Sequence, residues 1–335
     1  MRKPIILAIE SSCDETSAAI IINGKIVNNI VATQSVHENY GGVVPELASR
    51  AHEKHIVPII DEAIKNAGIT LQMLDAVAFT QGPGLLGALL VGASFAKSLA
   101  FSLDIPLIGV NHMQAHILAH FLDVPHPAFP FLCLTVSGGH TQIVKVESAT
   151  KMEVIGQTLD DAVGEAFDKS AKLMGLTYPG GPLIDRYAAE GNPERFIFSD
   201  ASIPGFNFSF SGIKTAFMYF LKDNMGKNSN FIEENRADIC ASLQHSLVRM
   251  LLQKLKKASD HTKIREIAIA GGVSANKGLR NELSILAEKK KWNVYVPKLE
   301  YCTDNAAMIA MNAHFKYLEK DFCDLSVTPQ PRMVI

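Results

Sequence analysis

Two spacings of apolar residues alternate along the chain. Ile5 to Glu10 is a continuous apolar run closed by an acid, Thr16 to Ile22 is a second, and Ser11-Ser-Cys-Asp-Glu15 between them is short and polar. Runs of this length bounded by turn residues predict two buried strands joined as a hairpin with an acidic tip. Asn23-Gly24 is a two-residue turn signal and predicts a third strand over Lys25 to Ala32. After the loop Tyr40-Gly-Gly-Val-Val-Pro45 the period changes. Leu47, Ala51, Ile56, Ile59, Ile60 and Ala63 recur at helical spacing and predict a helix from Glu46 to Asn66. A strand over Ala76 to Thr80 then leads through Gln81-Gly-Pro-Gly-Leu-Leu-Gly87 into a second helix ending near Leu103. Such a turn can cradle a phosphate at a helix N-terminus; here the pattern points instead to close backbone packing.

The same order then recurs. Phe131 to Val136 is an apolar strand, Ser137-Gly-Gly-His140 a turn, Thr141 to Val146 a second strand and Met152 to Thr158 a third. A helix over Val163 to Met174 follows, then the loop Thr177-Tyr-Pro-Gly-Gly-Pro182, and later a strand, Glu266 to Ala270, that ends in Gly271-Gly-Val-Ser-Ala-Asn276 before another helix. Aligning Leu7-Ala-Ile-Glu-Ser-Ser12 with Leu134-Thr-Val-Ser-Gly-Gly139 superposes strand on strand and turn on turn. Duplicated lobes of three strands, helix, strand and helix predict the α/β fold shared by actin, sugar kinases and the heat-shock ATPases, with nucleotide expected in an interlobe cleft. The expected N-lobe is 1–127 together with a C-terminal helix at about 304–335, and the expected C-lobe is 128–303.

Composition narrows the class. A chain of 335 residues, 47% hydrophobic and 20% charged, has material for more than one buried core. The net charge of -2 provides no global basic field for a nucleic acid, and the Lys254 to Lys257 and Lys289 to Lys291 clusters read as local solvated helix faces. The five cysteines show no CxxC spacing and are odd in number, which argues for reduced thiols. The apolar run after Met1-Arg-Lys3 is too short for a signal peptide, and Leu85 to Ala96 is shorter than the roughly 20 residues of a membrane span. A cytoplasmic chain with no membrane contact is expected.

Candidate chemistry starts with Asn111-His-Met-Gln-Ala-His116. His112 and His116 are four apart, so on a helix both imidazoles reach one ion, a spacing that suits zinc or iron with a further ligand from elsewhere. Chance spacing on a helix surface is the competing reading. His120 is rotated by roughly 80° from His112 and makes a poorer third ligand. A zincin carries Glu directly after its first His as general base, and here that position is Met113. In the duplicated turns, Gly138 and Gly139 let backbone N–H groups approach anionic oxygens, with Ser137 and Thr141 adding hydroxyls. The glycines of Gly271-Gly-Val-Ser-Ala-Asn276 leave room for a base or ribose, and Asn276 offers a donor and an acceptor. Among Asp160, Asp161, Glu165 and Asp168, acids that helix starts attract anyway, Asp168 beside Lys169 stands out. Asp304 opens the last helix as either an N-cap or a metal ligand.

Further blocks bear on these alternatives. The stretch from Lys97-Ser-Leu-Ala-Phe-Ser-Leu-Asp104 to Asn111-His-Met-Gln-Ala-His116 resembles the signature of the TsaD family, once called glycoproteases and now known as tRNA threonylcarbamoyladenosine transferases. Glu10-Ser-Ser-Cys-Asp-Glu-Thr16, Tyr40-Gly-Gly-Val-Val-Pro45, Gly82-Pro-Gly-Leu-Leu-Gly87, Val136-Ser-Gly-Gly-His-Thr-Gln142, Gly164-Glu-Ala-Phe-Asp-Lys169, Tyr178-Pro-Gly-Gly-Pro182, Phe208-Ser-Phe-Ser-Gly-Ile-Lys214, Gly271-Gly-Val-Ser-Ala-Asn276 and Cys302-Thr-Asp-Asn305 resemble family blocks in family order. His140 and the absence of a fused kinase domain resemble the bacterial branch.

The resemblance implies one divalent metal held by His112, His116 and Asp304, usually iron and otherwise zinc or magnesium. It implies substrate binding by Thr135, Val136, Ser137, Gly138, Gly139, Asp168, Gly181, Asp185 and Asn276. The implied reaction transfers threonylcarbamoyl from threonylcarbamoyl-AMP to N6 of adenosine 37, in tRNAs reading codons that start with A, with release of AMP. The implied partners are a TsaB-like paralogue, a TsaE-like ATPase and an upstream adenylate-forming TsaC-like enzyme. A mixed anhydride is already activated, and no nucleophile elbow or triad pattern is present, so no covalent intermediate is needed. Asp14, at the first hairpin tip, is the candidate base for the attacking amine. A metallo-endopeptidase would share the histidines and an actin-like ATPase the fold.

Overall fold

The computed structural model describes residues 3–198 and 203–335; the charged start at Met1 and Arg2 lies outside them. It divides into two units, residues 1–126, 147–152 and 297–335, and residues 127–146 with 153–296. The first contains β1 (Ile5–Glu10), β2 (Glu15–Ile22), β3 (Lys25–Thr33), α1 (Pro45–Asn66), β4 (Ala76–Gly82), α2 (Leu86–Leu103), β5 (Leu107–Asn111) and α3 (His112–Leu118). The second contains β6 (Phe131–Val136), β7 (Thr141–Val146), β8 (Met152–Gln157), whose first residue belongs to the first unit, α4 (Val163–Leu173), α5 (Gly180–Ala188), α6 (Ser211–Met225), α7 (Phe231–Thr262), β9 (Glu266–Ala270), α8 (Lys277–Lys290) and β10 (Asn293–Tyr295). The chain then returns to the first unit as α9 (Ala306–Leu318).

Each unit is built on a five-stranded sheet, ordered β3-β2-β1-β4-β5 in one and β8-β7-β6-β9-β10 in the other. The central strand pairs antiparallel with the second strand of its unit and parallel with the fourth in both: β1 with β2 and β4, β6 with β7 and β9. Two sheets with matching order and pairing are the structural form of the repeat seen between residues 7–12 and 134–139. β1 reads as an unbroken apolar run because helices cover both of its faces. Ile6 and Ala8 of β1 join α3 and α9 in one core, while Ile5, Leu7 and Ile9 join α1 and α2 in another.

The predicted strands and helices lie within two residues of those observed except at the C-terminus, where the helix expected over about 304–335 ends at Leu318, and the pattern leaves elements out. β5 and β10 are five and three residues long, too short to show a period. Three helices, α5, α6 and α7, occupy the interval before β9. Among the described residues α2 is the one helix long and apolar enough to cross a membrane, longer than the expected run, and its small residues Ala88, Ala93, Ala96 and Ala100 are buried. The Gly82 to Gly87 turn serves packing, as expected: a Cβ on Gly84 would lie 2.6 Å from the Ser12 carbonyl oxygen. None of the five cysteines forms a disulfide.

Candidate metal centre and donor-binding turns

In the first unit the strand ends carry the chemistry. β5 runs directly into α3, and Asn111 caps that helix by accepting from the N–H groups of Met113 (2.9 Å) and Gln114 (3.1 Å). The cap places His112 at the first helical position and His116 one turn on, both buried. At α9 the side chain of Asn305 accepts from Met308 N–H at 3.1 Å. Asn305 is therefore the N-cap, which leaves the Asp304 carboxylate available to the imidazoles.

His112 Nε2 lies 3.3 Å and His116 Nε2 3.1 Å from Asp304 Oδ1, with the imidazole rings edge to face. One donor atom from each of the three residues falls within 4.8 Å of the other two. Ligands at 2.0–2.2 Å around a tetrahedral metal stand about 3.3 Å apart, so this donor set fits a divalent ion. His120 is buried but lies outside the group, and its carbonyl faces His126 Nδ1 at 3.2 Å. Met113 is buried and apolar.

Behind His112 stands Glu10, at the end of β1 and fully buried. Its Oε2 is 3.0 Å from His112 Nδ1 and accepts from the Thr80 hydroxyl at 2.7 Å, and its Oε1 accepts from Ser12 N–H. Burial disfavours the imidazolium, yet Asp304 and Glu10 outweigh it and hold His112 well above its ordinary value of 6.5. Burial likewise opposes ionisation of both acids, and His112 overrides it, keeping Glu10 and Asp304 below their usual carboxylate values. Without an ion, His112 is an imidazolium between two carboxylates. Sequence reasoning missed Glu10 as a site residue; its signal is an acid closing an apolar strand, which reads equally well as a strand end.

Asp14 is half-buried on the β1–β2 turn, where its carbonyl accepts from Gln34 N–H at 3.2 Å. That turn is braced by buried His52, which contacts Thr16 Oγ1 at 2.8 Å and the Cys13 carbonyl at 2.9 Å. Neighbouring Glu15 is pushed up to about 10 by burial and by Asp304 and Asp14.

The other expected residues lie in the second unit. Thr135 and Val136 are buried at the end of β6, while Gly138 and Gly139 are exposed, and a Cβ on either would meet nothing within 4 Å. The turn closes through His140 N–H donating to Ser137 Oγ at 3.0 Å and Ser137 N–H to the His140 carbonyl at 2.8 Å. Gly271 has φ +86°, and a Cβ there would meet the Val136 carbonyl oxygen at 2.5 Å, so the β9 turn can sit against the β6 turn only as glycine. Asp168 Oδ1 accepts from Gly180 N–H (2.8 Å) and Gly181 N–H (3.1 Å), capping α5. Asp185 Oδ1 accepts from Lys277 N–H at 3.1 Å, at the start of α8. Asn276 donates Nδ2–H to Gln244 Oε1 at 2.7 Å and accepts from Leu279 N–H at 2.8 Å through Oδ1. Its amide thus serves the helix start, whereas the sequence reading turned it toward a nucleoside; Gln244, 32 residues away in the chain, gave no sequence signal.

The model of the family TsaD: tRNA N6-adenosine threonylcarbamoyltransferase matches residues 25–311. A protein of that name from Christiangramia forsetii is 61% identical over 98% of this chain and 97% of its own length. Another from Cytophaga hutchinsonii is 60% identical over 98% and 96%. Among solved structures, full-length HypF in its phosphate- and nucleotide-bound form has a TM-score of 0.63 at 13% identity, covering 94% of this chain and 46% of that one. Component A of the Acidaminococcus fermentans (R)-2-hydroxyglutaryl-CoA dehydratase has a TM-score of 0.54 at 14% identity, covering 95% and 100%. At such identities these two likenesses concern the fold.

Proposed function

The chain belongs to the TsaD family of tRNA N6-adenosine threonylcarbamoyltransferases, and from that premise we propose how its residues divide the work. The reaction moves threonylcarbamoyl from threonylcarbamoyl-AMP to N6 of adenosine 37 in tRNAs reading codons that start with A. The N6 amine attacks the carbamoyl carbon, the bond from that carbon to the phosphate oxygen breaks, and AMP leaves. His112, His116 and Asp304 hold one divalent metal, iron by preference and zinc or magnesium otherwise. When bound, the metal supplies a Lewis-acid anchor for anionic oxygen.

The chain's own groups do the rest. Gly138 and Gly139, exposed on a turn braced by Ser137, present backbone N–H groups to developing negative charge, with Thr135 and Val136 as their rigid base. Asp168 with Gly181, and Asp185 with Asn276, fix the starts of α5 and α8 and so shape the surface that holds the adenylate. Asp14 takes the proton from the amine as the new N–C bond forms.

The partners are those that membership of the family implies. The tRNA and threonylcarbamoyl-AMP are substrates; a TsaC-like enzyme forms the adenylate, and a TsaB-like paralogue and a TsaE-like ATPase assist in the cytoplasm. In support of a protein partner, Leu86, Leu90 and Phe101 lie on one side of α2 and are 53%, 46% and 73% exposed. We assign this face to the paralogue.

One observation carries the reading against the endopeptidase alternative. The two imidazoles and Asp304 form a metal-ligand set while Met113, buried and apolar, stands where a zincin needs its base. With donor, tRNA and the partner set supplied, mass spectrometry of digested tRNA should find threonylcarbamoyladenosine, and Asp304→Ala and Asn276→Ala should abolish it. Wild-type rates with Asp304→Ala would remove the metal from the chemistry, and no product from the wild-type protein would remove the function.

A further inference from the structure

We infer that Glu10 is a positioning residue of the metal centre: it fixes the His112 ring so that Nε2, and not Nδ1, is the metal-binding atom. The inference rests on the metal reading of His112, His116 and Asp304. A carboxylate accepts hydrogen bonds and donates none. His112 Nδ1, 3.0 Å from Glu10 Oε2, must therefore carry a proton, which leaves Nε2 to supply the lone pair on the Asp304 side, 3.3 Å from Oδ1. The Ser12 hydroxyl at 3.3 Å is the other polar group near Nδ1. Outer partners of this kind set the tautomer and orientation of a ligating imidazole.

The position of Glu10 in the sequence argues for such a role. The five residues before it in β1, Ile5 to Ile9, are buried and apolar, and an apolar sixth would continue the core without burying a charge. The protein instead surrounds the carboxylate with donors from three places: Thr80 at the end of β4 (2.7 Å), Ser12 N–H on the following turn, and His112 at the start of α3. His116 has nothing equivalent among the described residues, where its Nδ1 is buried without a hydrogen-bond partner. Of the two imidazoles, His112 alone is held by a charged group on the side away from Asp304. The same carboxylate ties the β1–β2 turn that carries Asp14 to the ligand, through Ser12 N–H.

Zinc binding by the full chain, followed by competition with a chromophoric chelator, tests this directly. The wild-type protein should take up one Zn²⁺, and Glu10→Gln should bind it about 10–100-fold more weakly, because a neutral amide replaces the carboxylate that faces His112 Nδ1–H and its NH₂ opposes either Ser12 N–H or both Thr80 and His112. Thr80→Val keeps Glu10 but removes a donor from Oε2, and should show a smaller loss in the same direction. In ¹⁵N-histidine spectra of the zinc-loaded wild type, the His112 proton should sit on Nδ1; in Glu10→Gln that assignment should weaken. A merely structural Glu10 would lower thermal stability and leave both readouts unchanged in the folded fraction. If Glu10→Gln does not fold, Thr80→Val decides. Wild-type zinc affinity in the folded variants overturns the inference, whereas a wild-type protein that binds no zinc overturns the metal reading beneath it.

Discussion

At the scale of single residues, two side chains one helical turn apart meet a third from far along the chain, because the start of α3 and the start of α9 come together. His112 and His116 follow β5, and Asp304 precedes α9, 188 residues beyond His116. Purified protein should contain about one metal per chain, and His112→Ala or His116→Ala should lose most of it by elemental analysis. The proton on His112 competes with the ion for Nε2. Since Asp304 and Glu10 raise the His112 pKa well above 6.5, apparent metal affinity should fall about tenfold for each pH unit below that raised value. Chelator competition at several pH values reads the slope. The metal-free protein obeys the linkage signs of both partners. Asp304's contribution is complete above its ordinary 3.8 and lost as pH falls through its depressed value, while that of His112 is complete below 6.5 and lost as pH rises through its raised one. Glu10, the other carboxylate, contributes fully above its ordinary 4.5, so the difference in thermal midpoint between metal-free wild type and His112→Asn should be greatest between pH 4.5 and 6.5.

At the scale of elements, α3 is only seven residues long and depends on its surroundings. Its cap, Asn111, is also held from the far end of the chain, since Nδ2 donates to the Val334 carbonyl at 3.0 Å. The C-terminal segment is tied down next to it, with Gln330 N–H donating to the Gln81 carbonyl at 2.7 Å. Asn111→Ala removes the cap and the anchor together. It should cost about 1 kcal/mol, lower the thermal midpoint by a few degrees, and weaken zinc binding although Asn111 is no ligand. An unchanged metal affinity would show that packing of Ile117 and Leu118 orients the short helix without its cap.

At the scale of the whole molecule, the duplicated sheets place their turns at corresponding positions, after β1 in one unit and after β6 in the other. The first turn is acidic and the second glycine-rich, so the repeat has been put to two uses. With a net charge of -2, the chain has little electrostatic attraction for a polyanion whose binding scales with neutralised phosphates. The isolated protein should bind tRNA weakly at physiological salt, as measured by filter binding or anisotropy, and more tightly when its partner proteins are added. Tight binding by the chain alone would count against this.

Periodicity was enough to reveal the repeat, because apolar runs and glycine turns are local signals that survive without knowledge of the partner strand. Four-residue spacing likewise brought His112 and His116 to one helix face, and the motif resemblance paired them with Asp304. Short β5 and β10 escaped, since three to five residues hold no period. The roles of Glu10 and Asn276 were not legible either. An acid at a strand end and an amide before a helix look the same whether they face solvent, substrate or protein. Only the tertiary structure decided that Glu10 backs His112 and that Asn276 is occupied by Gln244 and Leu279, because hydrogen bonds between residues 102 and 32 positions apart depend on how the elements pack.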